Sequence, residues 1–337
     1  MRRVDGFEHR PGNHCGSTSL ANLATYYGWG YDEPTCFGLG SGLGFTFLEL
    51  PDGAERVMLG RPLWLEVAFF ERLAIGHEHH TGEGWETIRG RIVDGVARDE
   101  PVLLFTDLYY MDYFDTDTHF APHSLLAIGY DVDADTVLLS DNEFPEPQTL
   151  AGERLAAALD SPYMVPEPGR TLVVTDPDPG VGFAAAAPAA VAETARYMLD
   201  PDAVDRELGP GTHGLAGVRA LADDVPSWTD LADPSWTARF AYQNVERRGT
   251  GGGCFRRMYA QFLAAAVEAD DRLPADAPDR MSEIAADWTA AGETLKAASE
   301  RDDEGEMEPL FADAAEQLHD LADREEALFA DLLAALE

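Results

Sequence analysis

The spacing of hydrophobic positions divides the chain into two parts. Short apolar runs typical of strands occur in the first half, at 63–69, 102–106, 125–130, 137–140 and 171–175. After the turn-forming residues 176–180, apolar positions recur every three or four residues instead, as they do in helices. We therefore predict an α+β fold with a mixed domain over 1–178 and an α-helical domain over 179–337.

The helical period is clearest in two stretches of the second half. They are 255–267 and 310–336, and each places its apolar side chains on one face of a helix. Such faces need a partner surface, so we expect a bundle of helices.

A helix is also predicted near the N-terminus, with Cys15 in or beside its first turn. Leu20, Leu23 and Tyr27 fall on one face of this helix, and Gly28 ends the run. The amide donors and the dipole at a helix start stabilise an anion, which favours the thiolate form of Cys15. Cys15 is thus a candidate nucleophile, although a buried packing role is the alternative.

A base for this nucleophile is predicted on a hairpin. Residues 123–131 have the pattern of a strand that begins at His123, and 137–141 that of a returning strand that ends at Asp141. The start of one antiparallel strand lies beside the end of the next, so His123 and Asp141 become neighbours. One imidazole nitrogen then faces Cys15, and the other donates to Asp141.

The residues around these three positions resemble the butirosin biosynthesis protein H (BtrH) family. The segments that carry the resemblance are 14–19, 26–28, 36–45, 123–131, 140–141 and, for the accompanying helical domain, 249–263. The resemblance implies a papain-like cysteine domain followed by a helical domain. Because the named member moves an acyl group from a carrier-protein thioester to an amine, it also implies an acyltransferase. By residue, it implies Cys15 as nucleophile, His123 as base and Asp141 as the group that orients the base.

The oxyanion donor departs from the pattern of related papain-like peptidases. Those proteins place a glutamine some residues before the nucleophile, and residues 7–14 contain none. The candidates here are Asn13 and the backbone amide of Cys15.

The charge of the chain is extreme. It has 62 acidic residues against 24 basic ones, a net charge of −38, and Lys296 is its only lysine. Such a surface repels itself unless salt screens it, and the Debye length shortens to about 3 Å at 1 M salt. We therefore predict a halophilic protein of a salt-rich cytoplasm. Nucleic acid is disfavoured as a partner for the same electrostatic reason.

Targeting and redox features are sparse. No apolar stretch follows Met1 and no apolar run approaches 18 residues, so we expect a cytoplasmic protein without a membrane partner. Three cysteines do not make a disulfide framework, and we interpret Cys36 and Cys254 as structural thiols. We expect no cofactor.

Three further clusters have weaker interpretations. The glycines of 38–44 lack the spacing and lysine of a nucleotide loop, and we interpret Gly42 and Gly44 as points of backbone approach to substrate, with a tight turn as the alternative. The histidines of 77–80 are predicted to form a polar loop, and the acidic residues of 131–135 a hairpin turn. No metal site is expected.

Four of the scarce basic residues lie within 247–257, around a run of glycines. Bare amides and a helix start favour an anion there, so Gly251, Gly252 and Arg256 are predicted to bind an anionic part of the substrate, such as a phosphate or carboxylate. The alternative is a tight turn whose arginines pair with carboxylates.

The main hypothesis is a thiol acyltransferase. Cys15 accepts an acyl group from a thioester of a carrier protein or coenzyme A, and a small-molecule amine takes it from the enzyme. A cysteine peptidase or amidase with the same three residues is one alternative, and a non-catalytic binding module is the other.

Overall fold

The protein, seen in a computed structural model, is described over residues 1–50 and 56–337. Its strands are β1 (Arg2–Arg3), β2 (Thr46–Glu49), β3 (Arg56–Leu59), β4 (Gly76–His80), β5 (Val102–Thr106), β6 (His123–Asp131), β7 (Thr136–Ser140), β8 (Gln148–Ala151), β9 (Thr171–Asp176) and β10 (Thr212–His213). Its helices are α1 (Cys15–Tyr27), α2 (Glu33–Leu39), α3 (Leu65–Leu73), α4 (Trp85–Ala97), α5 (Gly152–Leu159), α6 (Phe183–Leu199), α7 (Gly214–Asp224), α8 (Pro234–Glu246), α9 (Arg256–Ala269), α10 (Ala277–Ser299) and α11 (Glu304–Leu336).

The chain forms two compact units. The first comprises Met1–Cys36 and Phe70–Val181, and the second comprises Phe37–Phe69 and Gly182–Glu337. This division differs from the uninterrupted first domain over 1–178 that the sequence predicts, because the segment 37–69 folds with the helices.

Aromatic packing explains where that segment belongs. The ring of Phe37 stacks on Phe255 with 5.3 Å between centroids. Gly38 lies so close to the ring of Phe262 that a side chain at position 38 would overlap it. These contacts bury the segment against the start of α9 and against α9 itself, so its glycines serve close packing inside the second unit.

The first unit is built on an antiparallel sheet in the order β4-β9-β5-β6-β7-β8. Strand β1 pairs with the last part of β6, beyond the residue that pairs with the start of β5. One hydrophobic cluster joins alternate residues of β5, β6 and β7 to the apolar faces of α4 and α5. The helix α1 packs against β6. The two elements that carry Cys15 and His123 are therefore held together by the core of this unit.

Most of the strands predicted in the first half are confirmed, at 102–106, 125–130, 137–140 and 171–175. The strand predicted at 63–69 is wrong, because Leu65, Phe69 and Leu73 lie on the buried face of the helix α3. The polar loop predicted at 77–80 is also wrong. That segment is β4, an edge strand that pairs with β9.

The second unit is mainly helical, as predicted. Helix α10 packs against α8, α9 and α11, and α11 also packs against α6 and α7. The buried faces include Trp288 of α10 and Phe311 of α11, and the apolar stripes predicted at 255–267 and 310–336 fall on α9 and α11. Strands β10, β2 and β3 form a small antiparallel sheet in this unit.

Across the described ranges, every helix is either too short or too polar to cross a bilayer.

Candidate active site

Cys15 is the first residue of α1, where the sequence analysis expected it. The residue before it, His14, is extended and caps the helix: its Nδ1 accepts the amide of Ser17 at 3.2 Å, and its carbonyl accepts the amide of Thr18 at 2.8 Å. Gly28 ends the helix in the left-handed conformation at φ 76°, as predicted. The Cys15 side chain thus lies at the positive end of the helix dipole, with 7% of its surface exposed.

The hairpin of β6 and β7 supplies the other two predicted residues. His123 opens β6 and Asp141 directly follows β7, and His123 Nε2 lies 2.9 Å from Asp141 Oδ2. The Cys15 thiol is the other polar neighbour of His123 and helps to raise its pKa. Because Nε2 is bonded to Asp141, Nδ1 is the ring nitrogen left for the thiol. The structure therefore brings Cys15, His123 and Asp141 together.

The charges around Cys15 and His123 favour a thiolate beside an imidazolium. Burial by itself raises the pKa of Cys15, but the electrostatic interaction with His14 and hydrogen bonds from His123 and His14 hold that pKa well below its usual value. Burial lowers the pKa of His123, yet the charge and hydrogen bond of Asp141, together with Cys15, raise it to about 10. The proton of the pair therefore resides on His123 across the neutral range.

The other two thiols have the opposite environment. Burial, with the nearby charges of Asp32 and Glu33, raises the pKa of Cys36 well above its usual value. Burial raises the pKa of Cys254 to about 11, against the opposing charge of Arg256. Both are fully buried, and these environments agree with the prediction that they are structural thiols.

Asp141 has two more donors. The Tyr113 hydroxyl donates to Oδ2 at 3.0 Å, and the backbone amide of Glu143 donates to Oδ1 at 3.3 Å. Burial raises the pKa of Asp141, but the charge and hydrogen bond of His123 and these two donors lower it below its usual value. Phe114 meets the His123 ring edge-on at 5.5 Å between centroids. The carboxylate thus stays ionised, and an aromatic side chain limits the movement of the imidazole.

Glu33, which the sequence analysis missed, organises the turn around the nucleophile. Its carboxylate accepts the backbone amide of His14 at 2.8 Å and the hydroxyls of Ser17 at 3.2 Å and Thr18 at 3.0 Å. It also accepts the side-chain amide of Asn13 at 3.1 Å. The side-chain amide of the predicted oxyanion donor Asn13 is therefore engaged by Glu33, whereas the Cys15 amide lies in the first turn of α1, where helix amides lack helical partners.

Asn142 links the two halves of the site. Its carbonyl accepts the amide of Gly12 at 3.1 Å, and its side-chain amide donates to the carbonyls of Gly12 and Asn13 at 3.4 Å each. Because Asn142 directly follows Asp141, one short segment fixes both the carboxylate and the loop that leads to Cys15. Its position beside a predicted site residue was the only sequence feature that could have drawn attention to it.

A second histidine–carboxylate pair lies elsewhere in the first unit. His119 Nδ1 lies 2.6 Å from Asp107 Oδ2, and Ser161 donates to the same oxygen at 2.6 Å. The His119 ring is stacked between Tyr109 and Tyr163, with centroids 4.1 and 4.0 Å away. The contacts of this pair involve no thiol.

The predicted substrate-binding glycines of 38–44 are packing positions of the second unit. A side chain at Gly42 would overlap Leu65 and Phe37, and one at Gly44 would overlap Tyr197. The alternative of a tight, closely packed turn is therefore the one that fits Gly42 and Gly44.

The predicted anion site at 247–257 is filled by the protein itself. The amide of Gly253 donates to the carboxylate of Glu246 at 2.9 Å, and that of Gly252 donates to the Thr250 hydroxyl at 3.1 Å. Residues 251–255 all have positive φ, so the glycines serve a left-handed turn. The amides of Gly252 and Gly253 are thereby satisfied within the fold, and Gly251 belongs to the same turn.

Arg256 is likewise committed to the fold. Its Nε and Nη2 donate to the two oxygens of Glu325 at 2.7 and 3.0 Å, and its Nη1 donates to the carbonyls of Gly44 and Cys254 at 3.1 and 2.9 Å. The guanidinium lies over Trp288, and both Arg256 and Glu325 are fully buried. The expected binding of a substrate anion by Arg256 does not fit this environment, which is that of a structural ion pair.

Within 1–50 and 56–337, no group of three or more histidine, cysteine or acidic side chains is arranged to hold a metal ion.

Two family profiles match the chain. Butirosin biosynthesis protein H, N-terminal, matches residues 14–142, which include Cys15, His123 and Asp141. Domain of unknown function (DUF4872) matches residues 153–332, more than half of the 337 residues. The chain belongs to the butirosin biosynthesis protein H family. Membership in this family indicates a biosynthetic protein. A search of curated proteins found no match.

Proposed function

We propose that this protein is a cysteine-dependent acyltransferase with a papain-like arrangement of Cys15, His123 and Asp141. One observation carries the proposal: a cysteine at a helix start, with a lowered pKa, is joined through His123 to a buried carboxylate. A nucleophile, a base and a group that orients the base are the parts that covalent acyl transfer needs. Membership in a biosynthetic family supports synthesis of a product over degradation.

In the first step, the Cys15 thiolate attacks the carbonyl carbon of an acyl thioester. A sulfur–carbon bond forms, and the carbonyl oxygen becomes an oxyanion that the Cys15 amide is positioned to stabilise. The intermediate then collapses and releases the donor thiolate, which takes the proton from His123. The products are a thioester on Cys15 and a neutral His123.

In the second step, an amine attacks the acyl-enzyme. Neutral His123 accepts the proton of the attacking nitrogen, a carbon–nitrogen bond forms, and the bond to the Cys15 sulfur breaks. The products are an amide and the Cys15 thiolate beside protonated His123, which is the starting state. Asp141 keeps Nδ1 of His123 directed at the sulfur and stabilises the imidazolium in both steps.

Hydrolysis uses the same residues with water in place of the amine, so the acceptor decides between transferase and hydrolase.

To test the proposal, the protein is incubated with butyryl-coenzyme A or with a short-chain N-acetylcysteamine thioester, and its intact mass is measured. We expect a gain of one acyl group that is absent from Cys15→Ala and retained in Cys36→Ala, which removes a thiol of raised pKa. A diamine added afterwards should discharge the adduct faster than buffer does and yield an amide.

Two results would overturn the proposal. An adduct that persists in Cys15→Ala would place the chemistry elsewhere. Discharge at one rate with and without amine, giving only the free acid, would identify a hydrolase.

A further inference from the structure

His14 places a second imidazole on the reactive sulfur. Its Nε2 lies 3.8 Å from Cys15 Sγ, within the range of a hydrogen bond to sulfur, and the His14 side chain is buried. His123 contacts the same sulfur. The thiol therefore has two imidazole neighbours, and the acyl-transfer mechanism uses only one of them.

The proton of His14 is fixed by its role as a helix cap. The backbone amide of Ser17 donates to Nδ1 at 3.2 Å, and the Ser17 hydroxyl lies 3.1 Å from the same nitrogen; with the amide as donor, Nδ1 presents a lone pair. The ring proton is then on Nε2, the atom that faces Cys15. The backbone of His14 is held in turn, since its amide donates to Glu33 Oε1 at 2.8 Å.

A capping role by itself does not account for an imidazole at this position. Serine, threonine, aspartate and asparagine are the preferred caps, and each satisfies a first-turn amide with a shorter side chain. What histidine adds is a donor on the far side of its ring, at the distance of the neighbouring sulfur. That donor becomes important when the sulfur carries a full negative charge.

We infer that His14 is a second catalytic residue, which donates its Nε2–H to the Cys15 thiolate both in the resting enzyme and when that thiolate is expelled from the acyl-enzyme. The inference rests on Cys15 as the nucleophile of the proposed function, and it needs no particular acyl group or acceptor. In the second step the carbon–sulfur bond breaks and the electron pair moves to sulfur. His14 stabilises this charge without transferring a proton, so the proton taken from the amine stays on His123.

The test uses variants that keep the cap and remove the donor. His14→Asn and His14→Ser retain a side-chain oxygen for the Ser17 amide but lack a group that reaches the sulfur. The pH dependence of Cys15 alkylation by iodoacetamide, read by peptide mass, reports the thiolate without any substrate. We expect the midpoint to rise by about one unit in both variants, and the rate at a pH below the new midpoint to fall about tenfold.

The melting temperature separates this role from a structural one. We expect it to change little in His14→Asn, which is among the best caps. An unchanged alkylation midpoint in a folded variant would show that His14 is only a cap and would overturn the inference. Should one variant fold poorly, the other gives the same readout. A wild-type protein that forms no acyl adduct would defeat the proposed function, whereas the midpoint would still decide the role of His14.

Discussion

Two buried charge networks can be compared in this protein. In the second unit, Arg256 and Glu325 are fully buried, and the guanidinium donates four hydrogen bonds to groups of the fold. In the first unit, His123 and Asp141 are also buried, but His123 gives one nitrogen to Asp141 and the other to the thiol of Cys15. Both networks neutralise charge in a core, yet only the network of the first unit includes the proposed nucleophile, Cys15.

The difference shows what makes a buried ionic group available for chemistry. Burial and strong charge occur at both places and do not distinguish them. What distinguishes them is the thiol that each group meets. Arg256 lies beside Cys254, whose pKa burial raises to about 11, whereas His123 faces Cys15, whose pKa is held well below its usual value.

The largest expected effect is on reactivity in the first unit. His123→Asn removes the base, and we expect the rate of acyl-enzyme formation to fall about 10²–10⁴-fold, the usual contribution of a positioned acid–base group. His119→Asn is the matched control, because His119 also pairs with a carboxylate but contacts no thiol. Stopped-flow thioester cleavage measures both. Equal losses in the two variants would contradict the distinction.

Changes to the Arg256–Glu325 pair of the second unit should lower the free energy of unfolding. Arg256→Met leaves the carboxylate of Glu325 buried without its partner, which costs about 3–5 kcal/mol. Urea unfolding measures this loss. Glu325→Gln added to Arg256→Met removes the stranded charge and keeps a side-chain oxygen for Trp288, whose Nε1–H donates to Glu325 Oε1 at 2.8 Å. We therefore expect part of the stability to return.

Iodoacetamide labelling of Cys15 in the folded Arg256→Met protein provides the second readout. We expect its midpoint to match that of the wild type. A stable Arg256→Met protein with weakened binding of a thioester donor would instead restore the original interpretation of Arg256 as an anion-binding residue.

The pH dependence tests the electrostatic part of the comparison. Acyl transfer should require the Cys15 thiolate and protonated His123, so its rate should fall at low pH through the lowered pKa of Cys15 and at high pH near 10. Asp141→Asn removes the charge that raises the pKa of His123. We expect the alkaline limb to move down by about one to three units. A pH–rate profile that is the same in both proteins would show that Asp141 does not set this pKa.

The smallest effect is expected at the edge of the active-site network. Tyr113→Phe removes one hydroxyl that donates to Asp141 and keeps the ring that packs against Phe144. A single hydrogen bond contributes about 1 kcal/mol, so we expect the acylation rate to change by tenfold or less. A loss as large as that of His123→Asn would mean that the hydroxyl acts on substrate directly.

The sequence predicted the site best where local pattern sets geometry. A helix start at Cys15 and a hairpin that aligns His123 with Asp141 both follow from spacing over a few residues. Glu33 and Tyr113 reach the same site through tertiary packing, and nothing in their own neighbourhoods indicated it.

Long-range pairing also explains the predictions that do not fit. The glycines and arginines of 247–257 have the composition of an anion site, but Glu325, which neutralises Arg256, lies 69 residues away. The apolar run at 63–69 suggested a strand because short apolar runs fit a strand or a buried helix equally well. Its continuation to Leu73 with helical spacing was the feature that could have decided the matter.

The backbone link through Asn142 gives the site a natural probe of its own assembly. The Gly12 amide donates to the carbonyl of the residue that follows Asp141, so it is protected from exchange with deuterium only while the two segments are docked. Its exchange rate therefore reports the docking of these two segments before any substrate arrives. The docking of the loop that carries Gly12 and leads to Cys15 is therefore a local folding reaction. It has its own equilibrium constant, separate from that of the global unfolding of the unit.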